Sequence, residues 1–138
     1  MKKISFLLIC LAMGISVITQ AQNVKDIETN KVIYHVDGKK LKEHSSGNTL
    51  YRLEGSKIIR HSDSKSMYDF DGKKFKSLEN RKNLFLLEGN KIKAAHNRRT
   101  MFLINGDNIK NVQTNKRVLK YPLTASKAFL MLILLEKN

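Results

Sequence analysis

One short pattern of residues recurs five times along the chain at an interval of 17 residues. Its first copy reads YHVDGKKLK from Tyr34, and its third reads YDFDGKKFK from Tyr68. Each copy has an aromatic residue four positions before a glycine and an apolar residue three positions after it. The five turn glycines are Gly38, Gly55, Gly72, Gly89 and Gly106. A strict period of this length defines the architecture before any other feature, because each unit must be one small supersecondary element.

Each unit predicts two short strands and two turns. Aromatic and β-branched residues suit a half-buried pleated surface, and glycine accepts the positive φ of a tight hairpin turn. The spacing leaves a loop of two or four residues open. We prefer four, since that loop pairs Val36 with Leu41, apolar opposite apolar. The second turn is polar and solvent-facing in every unit, reading SSGN at 45–48, SDSK at 62–65, ENRK at 79–82, HNRR at 96–99 and QTNK at 113–116.

The repeat therefore predicts an all-β protein built as an array of hairpins. We expect about eleven short antiparallel strands in one sheet that is curled or closed on itself. A half-unit at Val24-Lys25 precedes the first full unit, and a sixth unit starts at Val118-Leu119 before the pattern breaks down. The full units occupy about 33–49, 50–66, 67–83, 84–100 and 101–117.

The tail at 121–138, YPLTASKAFLMLILLEKN, departs from the repeat. Its Ala, Leu, Met and Lys residues favour a helix, and Thr124 or Ser126 could cap its start. The run from Phe129 to Leu135 is apolar throughout. We expect a short C-terminal helix, buried on most sides, that closes one end of the β structure. A final buried strand is the alternative.

The first 21 residues have the organisation of a secretory signal peptide. Lys2 and Lys3 precede an apolar run from Ile4 to Val17, and Ala21 offers a small residue for cleavage. A membrane anchor is the alternative, but the run is short for a spanning helix. Removal of this leader would also remove Cys10, so the domain at 22–138 would contain no cysteine. We expect one exported domain that is periplasmic, outer-surface or secreted.

The 17-residue phrase, from Tyr34-His35-Val36-Asp37-Gly38 onward, resembles the bacterial 7(1) septoil knot domain family, and the likeness covers about 24–135. The resemblance implies a compact β-hairpin array whose chain is deeply knotted. It implies no activity, cofactor or functional residues. Asn105 departs from the pattern, because the other four units carry an acid at that position.

Lysines form two columns in the repeat, on the side of the strand opposite the Leu41 column. The formal net charge is +14, and a protein this basic attracts anions. The columns predict either solubility and edge protection or a face that binds acidic glycan, lipid headgroups or, least favoured, nucleic acid. The candidate anion-binding residues are Lys40, Lys57, Lys74, Lys76, Lys91, Lys93 and Lys110.

The other polar columns have simpler explanations. Asp37, Glu54, Asp71 and Glu88 precede turn glycines, where turn chemistry accounts for them better than a calcium ladder does. His44 and His61 share a column but lack a third ligand there, so surface histidines are favoured over a metal pair. No nucleophile–base or phosphate-cradling motif is present in the sequence. We therefore expect no catalytic activity, metal or cofactor. The protein is expected to be an exported structural or interaction module that binds another envelope component such as an envelope protein, with binding of acidic glycan or lipid as the alternative.

Overall fold

The computed structural model describes residues 21–137 as twelve strands and one helix. Of the predicted leader, only Ala21 falls within the described residues. The strands are β1 (Gln22–Asp26), β2 (Lys31–Asp37), β3 (Lys40–Glu43), β4 (Thr49–Glu54), β5 (Lys57–Arg60), β6 (Lys65–Phe70), β7 (Lys74–Ser77), β8 (Asn83–Glu88), β9 (Lys91–Ala94), β10 (Thr100–Asn105), β11 (Asn108–Asn111) and β12 (Lys116–Lys120). The helix is α1 (Lys127–Lys137).

The strands form one closed antiparallel barrel. Each strand pairs with its neighbours in sequence, and β1 pairs with β12 to complete the ring. The predicted all-β hairpin array is confirmed, and the sheet is closed. It has one strand more than expected because the sixth unit contributes all of β12 before the repeat ends. Every connection between described strands joins sheet neighbours. Strand order alone does not test the knot that the resemblance implies.

Most of the glycine turns are tighter than the preferred loop of four residues. Val36 pairs with Leu41 as predicted, but Asp37 also pairs with Lys40, which leaves only two residues in the turn. Gly38 is the first residue of that turn and has a φ of 58°. This conformation is unfavourable for any residue that has a Cβ atom. The predicted four-residue loop occurs in the third unit, where Phe70 and Phe75 are the last residues to pair before the turn.

A β-bulge lies directly before the aromatic position of each unit. Leu41 pairs with Tyr51 and Lys42 pairs with Thr49, so Leu50 has no partner of its own. The same shift in register occurs at Ile33, Met67, Leu84, Met101 and Val118. Bulges bend a strand and increase its twist. Their regular recurrence explains how short hairpins curve evenly enough to close a ring.

The polar turns carry a second hydrogen-bond pattern with the same 17-residue period. In each, a side-chain oxygen accepts the backbone N–H two residues later, and the acceptors are Ser46, Asp63, Asn80, Asn97 and Thr114. The next residue adopts a left-handed conformation, and these residues are Gly47, Ser64, Arg81, Arg98 and Asn115. The polar turns are therefore as regular in structure as the glycine turns, although their sequences differ more.

Helix α1 lies inside the barrel. The seven consecutive residues Ala128–Leu134 are each 3% exposed or less. Successive helical residues are rotated by about 100°, so seven of them cover every side of the helix. One core cluster joins them to inward-facing strand residues such as Ile58 and Phe75. The prediction of a helix is confirmed, but it fills the interior instead of closing one end, because it has no polar stripe to present to water.

The C-terminal segment from Thr124 to Lys137, which contains α1, runs through the barrel from one end to the other. At the glycine end, where the glycine turns lie, Gln22 donates a hydrogen bond to Thr124 at 2.5 Å. At the polar-turn end, where the polar turns lie, Lys137 donates one to Asp26 at 2.9 Å. Within residues 21–137, no helix is long and apolar enough to cross a membrane.

Candidate anion-binding surface

Five of the predicted lysines project from the outer surface of β7, β9 and β11. These residues are Lys74, Lys76, Lys91, Lys93 and Lys110. The residues between or beside them, Phe75, Ile92 and Ile109, are at most 1% exposed and belong to the core. Because successive residues of a strand point to opposite sides, the lysines must point away from the core.

The strands between these lysines carry outward-facing leucines. Leu86 on β8 pairs with Lys74 and Lys93, and Leu103 on β10 pairs with Lys91 and Lys110. Both leucines are half-buried, and neither belongs to the core cluster. Lysine stems can cover such apolar surface while their ammonium groups reach water. We call these five lysines and two leucines the lysine face.

Most of the charge on the lysine face is uncompensated. Lys93 forms an ion pair with Glu88, and the hydrogen bond and charge of Lys93 lower the pKa of that carboxyl. No carboxylate of the described chain lies within 4.0 Å of the other four ammonium groups. The face therefore carries mostly unpaired positive charge around two half-buried leucines.

The remaining two predicted lysines lie on a different part of the barrel. Lys40 and Lys57 are exposed on β3 and β5. Asp69 on β6 pairs with Lys57 on one side and with Lys76 on the other, so a carboxylate separates the two regions. Ile59 also interrupts the second lysine column on β5, as its sequence position indicates. Only five of the seven lysines thus form one continuous basic surface.

The acids before the turn glycines play two different structural roles. Asp71 accepts backbone N–H groups from Lys73 and Lys74 at 2.9 and 2.7 Å, and these bonds lower its pKa. Asp37 instead pairs with Lys42 at 3.0 Å, in the manner of Glu88 and Lys93. Glu54 likewise pairs with Arg52 at 3.5 Å. The structure therefore shows turn chemistry at Asp71 and ion pairing at the other three acids. Residues 21–137 contain no group of three potential His, Cys, Asp or Glu metal ligands.

The histidines meet in a combination that their columns did not indicate. His44 lies next to His35, with Nδ1 of His44 2.7 Å from Nε2 of His35 and ring centroids 4.8 Å apart. One ring must donate and the other accept. Nδ1 of His35 is buried and has no hydrogen-bond partner. The two residues meet because β2 and β3 form a hairpin, so a search along one repeat column could not find the pair.

A further polar cluster closes the polar-turn end of the barrel. The Tyr34 hydroxyl donates a hydrogen bond to Glu136 at 2.9 Å. Burial first, and the charge of Glu136 second, raise the pKa of Tyr34, Tyr51 and Tyr68. Burial opposes ionisation of Asp26, but hydrogen bonds from Lys137 and Thr29 outweigh it and lower its pKa. The sequence did not predict this cluster, because a helix that closes one end of the β structure would not bring Glu136 and Lys137 to Tyr34 and Asp26.

A cavity of about 590 Å³ adjoins that cluster. Asp26, Phe102, Lys116, Arg117 and Lys137 are among the residues that line it. It lies near the junction of β1 and β12, at the polar-turn end of the barrel rather than on its side. None of the five lysines of the lysine face lines this cavity.

Comparisons of the chain with protein-family models, with curated proteins and with solved structures found no match. The surface chemistry of the barrel therefore carries the functional argument.

Proposed function

We propose that the protein is an exported interaction module of the cell envelope that binds anionic ligands through the lysine face and performs no catalysis. The ligand classes are acidic glycans and lipid headgroups. The supporting observation is the strand register, which gathers five lysines on one side of the barrel and leaves four without a carboxylate within 4.0 Å. A concentrated field of one sign attracts ligands of the other sign.

The closed sheet weakens the main alternative explanation of these lysines. Lysine commonly protects exposed sheet edges against pairing with other chains. In this barrel β1 pairs with β12, and the ring has no open edge among its twelve strands. Edge protection therefore cannot account for lysines in the middle of the sheet, although solubility can.

Binding measured across a salt series tests the proposal. The ligands are polygalacturonate, vesicles containing phosphatidylglycerol, and neutral dextran as a control. The test variant replaces Lys74, Lys76, Lys91 and Lys93 by Gln. Each lysine near an anionic surface contributes about 1 kcal/mol, so we expect a loss of roughly a hundredfold or more in affinity.

A matched variant removes the same charge elsewhere. Lys31, Lys65, Lys82 and Lys116 are exposed at the polar-turn end, and their replacement by Gln should leave most of the affinity intact. Binding should also weaken as salt rises, since added ions screen exposed charges. Equal losses in the two variants, or binding that ignores both salt and the lysine face, would exclude this face as the anion site.

A further inference from the structure

We propose that the lysine face binds a linear acidic polysaccharide that crosses the strands and wraps around the barrel from β7 to β11. This inference rests on the proposed function and selects one ligand class for the same surface. It follows from the curvature of the face, from the spacing of its lysines and from the position of its two leucines.

Curvature opposes contact with a flat membrane. The lysines on β7 and β11 are separated by four of the twelve intervals between neighbouring strands, which is a third of the circumference. A barrel of twelve strands spaced about 4.8 Å apart has a radius of about 12 Å. Extended lysine side chains add about 6 Å to this radius, so a plane that touches the ammonium groups on β9 leaves those on β7 and β11 about 9 Å away. That gap is close to the Debye length of about 8 Å, so their attraction would be largely screened.

A flexible chain avoids this penalty because it can follow the surface. It could contact Lys74 or Lys76 on β7, Lys91 or Lys93 on β9, and Lys110 on β11 in succession. Lysine backbones on alternate strands are about 10 Å apart, twice the spacing of neighbouring strands, and their ammonium groups can lie as far as about 18 Å apart because the side chains fan outward from the barrel. That interval corresponds to a few sugar rings of an extended polysaccharide. A polymer with one carboxylate per one or two sugars would thus place charges at the right intervals.

The leucines between the lysines suit sugar rings rather than a compact anion. Leu86 lies between Lys74 and Lys93, and Leu103 lies between Lys91 and Lys110, so apolar and cationic side chains alternate across the strands. The C–H faces of sugar rings can rest on such apolar intervals while their carboxylates reach the flanking ammonium groups. Three cavities of about 590, 450 and 300 Å³ are lined by residues outside the lysine face, so none of the three gives this face a pocket for a compact anion. The lysines are spread along the surface and do not converge on one phosphate-sized point.

Wrapping makes a specific prediction about chain length. Each contact of a multivalent ligand raises the effective concentration of the next, so avidity can exceed a single contact by about 10²–10⁴. We expect oligogalacturonates that are long enough to reach from β7 to β11 to bind the purified protein about a hundredfold more tightly than the dimer. Phosphatidylglycerol vesicles should bind more weakly than the long oligomers at equal concentration of negative charge.

Variants at the two edges of the face separate wrapping from flat contact. The Lys74→Gln/Lys76→Gln pair removes the β7 edge, and Lys110→Gln removes the β11 edge. Each should weaken binding of the long oligomer by about tenfold and reduce its salt dependence, with little effect on the dimer. Lys40→Gln is the control, because Lys40 belongs to the same repeat column as Lys74 but lies off the face. Circular dichroism melts would verify that each variant remains folded.

The outcomes also separate this inference from the proposed function. Three results would each overturn the wrapping inference. They are equal affinity per charge at all oligomer lengths, edge variants that bind as the wild type does, and tighter binding to vesicles than to long oligomers. If the variant lacking Lys74, Lys76, Lys91 and Lys93 still binds every anion as tightly as the wild type, the proposed function itself fails. If that variant loses binding while chain length has no effect, only the wrapping inference fails.

Discussion

At the residue scale, the polar turns show where the repeat carries a conformational cost. Arg98 has a φ of 59°. The equivalent residue of the first unit is Gly47, which has no Cβ and adopts a positive φ without strain. A left-handed conformation costs a residue with a Cβ about 1–2 kcal/mol, and part of this is offset because glycine loses more entropy on folding. We therefore expect Arg98→Gly to raise the free energy of unfolding by about 0.5–1 kcal/mol, measured by urea denaturation.

The neighbouring Arg99 provides the control for this prediction. Arg99 is also an exposed arginine of the same turn, but it is not among the residues with positive φ. Arg99→Gly should give no gain in stability. An Arg98→Gly variant that is no more stable than Arg99→Gly would show that the turn imposes no such cost.

A second residue-scale prediction concerns the aspartate of the third glycine turn. Asp71 accepts two backbone N–H groups, which lower its pKa below the ordinary value of 3.8. A carboxylate with a lowered folded-state pKa stabilises the fold above pH 3.8, and this contribution is lost as the pH falls through the folded value. Asp71→Ala should therefore destabilise the protein at pH 7, and the difference from wild type should shrink towards pH 2.

Asp71→Asn separates the hydrogen bonds from the charge. Its amide oxygen can still accept both N–H groups, so this variant should keep much of the stability that Ala loses at pH 7. Urea midpoints of the three proteins across pH provide the measurement. A difference between wild type and Asp71→Ala that stays constant from pH 7 to pH 2 would contradict the assigned role of the carboxylate.

At the element scale, helix α1 serves as the core of the barrel. Leu132 is 1% exposed and lies in the middle of the buried run. Truncation of a buried leucine removes transfer free energy and leaves a cavity that a rigid barrel cannot easily fill. We expect Leu132→Ala to lower the free energy of unfolding by about 2–5 kcal/mol in urea denaturation. Leu123→Ala, at a side chain that is 63% exposed, should change it by less than about 0.5 kcal/mol.

The elements differ in how far the sequence could predict them. The aromatic and glycine columns predict the hairpins because they depend on local chemistry, and Val36 opposite Leu41 follows from that. The bulges at positions such as Leu50 have no local signal, since an apolar residue there fits a regular strand equally well. Closure depends on those bulges, and burial of α1 depends on closure. The helix could therefore be predicted, but its place inside the barrel could not.

The sequence likewise predicted only part of the lysine face. Lysines two residues apart on a strand share a side, which placed Lys74 and Lys76 together from sequence alone. Their continuity with Lys91 through Leu86 depends on the register between strands, which the sequence leaves open. The contact of Tyr34 with Glu136 joins residues 102 positions apart and depends on the full path of the chain.

At the scale of the whole molecule, the predicted cleavage site lies directly before the first strand of the barrel. β1 begins at Gln22, directly after Ala21, and Gln22 contacts Thr124. Cleavage after Ala21 would therefore leave every described strand complete. We expect the N-terminal peptide of protein recovered from the envelope or medium to begin at Gln22, as determined by mass spectrometry. Recovery of an intact leader in the cell membrane would instead support the anchor alternative.

Barrel closure depends on the shortest pairing in the ring. The β1–β12 register contains two residue pairs, and one of them sets Lys25 opposite Lys120 on the outer surface. Like charges directly opposite each other on neighbouring strands are destabilising, whereas opposite charges contribute about 0.2–1 kcal/mol. Lys25→Glu should therefore raise the free energy of unfolding by roughly that amount in urea denaturation. Lys25→Gln should give a smaller gain, because it removes the repulsion without adding an attraction.

Salt distinguishes this electrostatic effect from a change in strand propensity. Added salt screens exposed charges, so the ranking of Glu above Gln above Lys at position 25 should narrow as ionic strength rises. The hydrogen bond from the Ile27 N–H to the Val118 carbonyl and the pairing of Asp26 with Leu119 involve backbone groups, so we expect all three proteins to keep them. A Lys25→Glu variant that is less stable than wild type at low salt would mean that Lys25 has a favourable contact at the closure that outweighs its repulsion from Lys120.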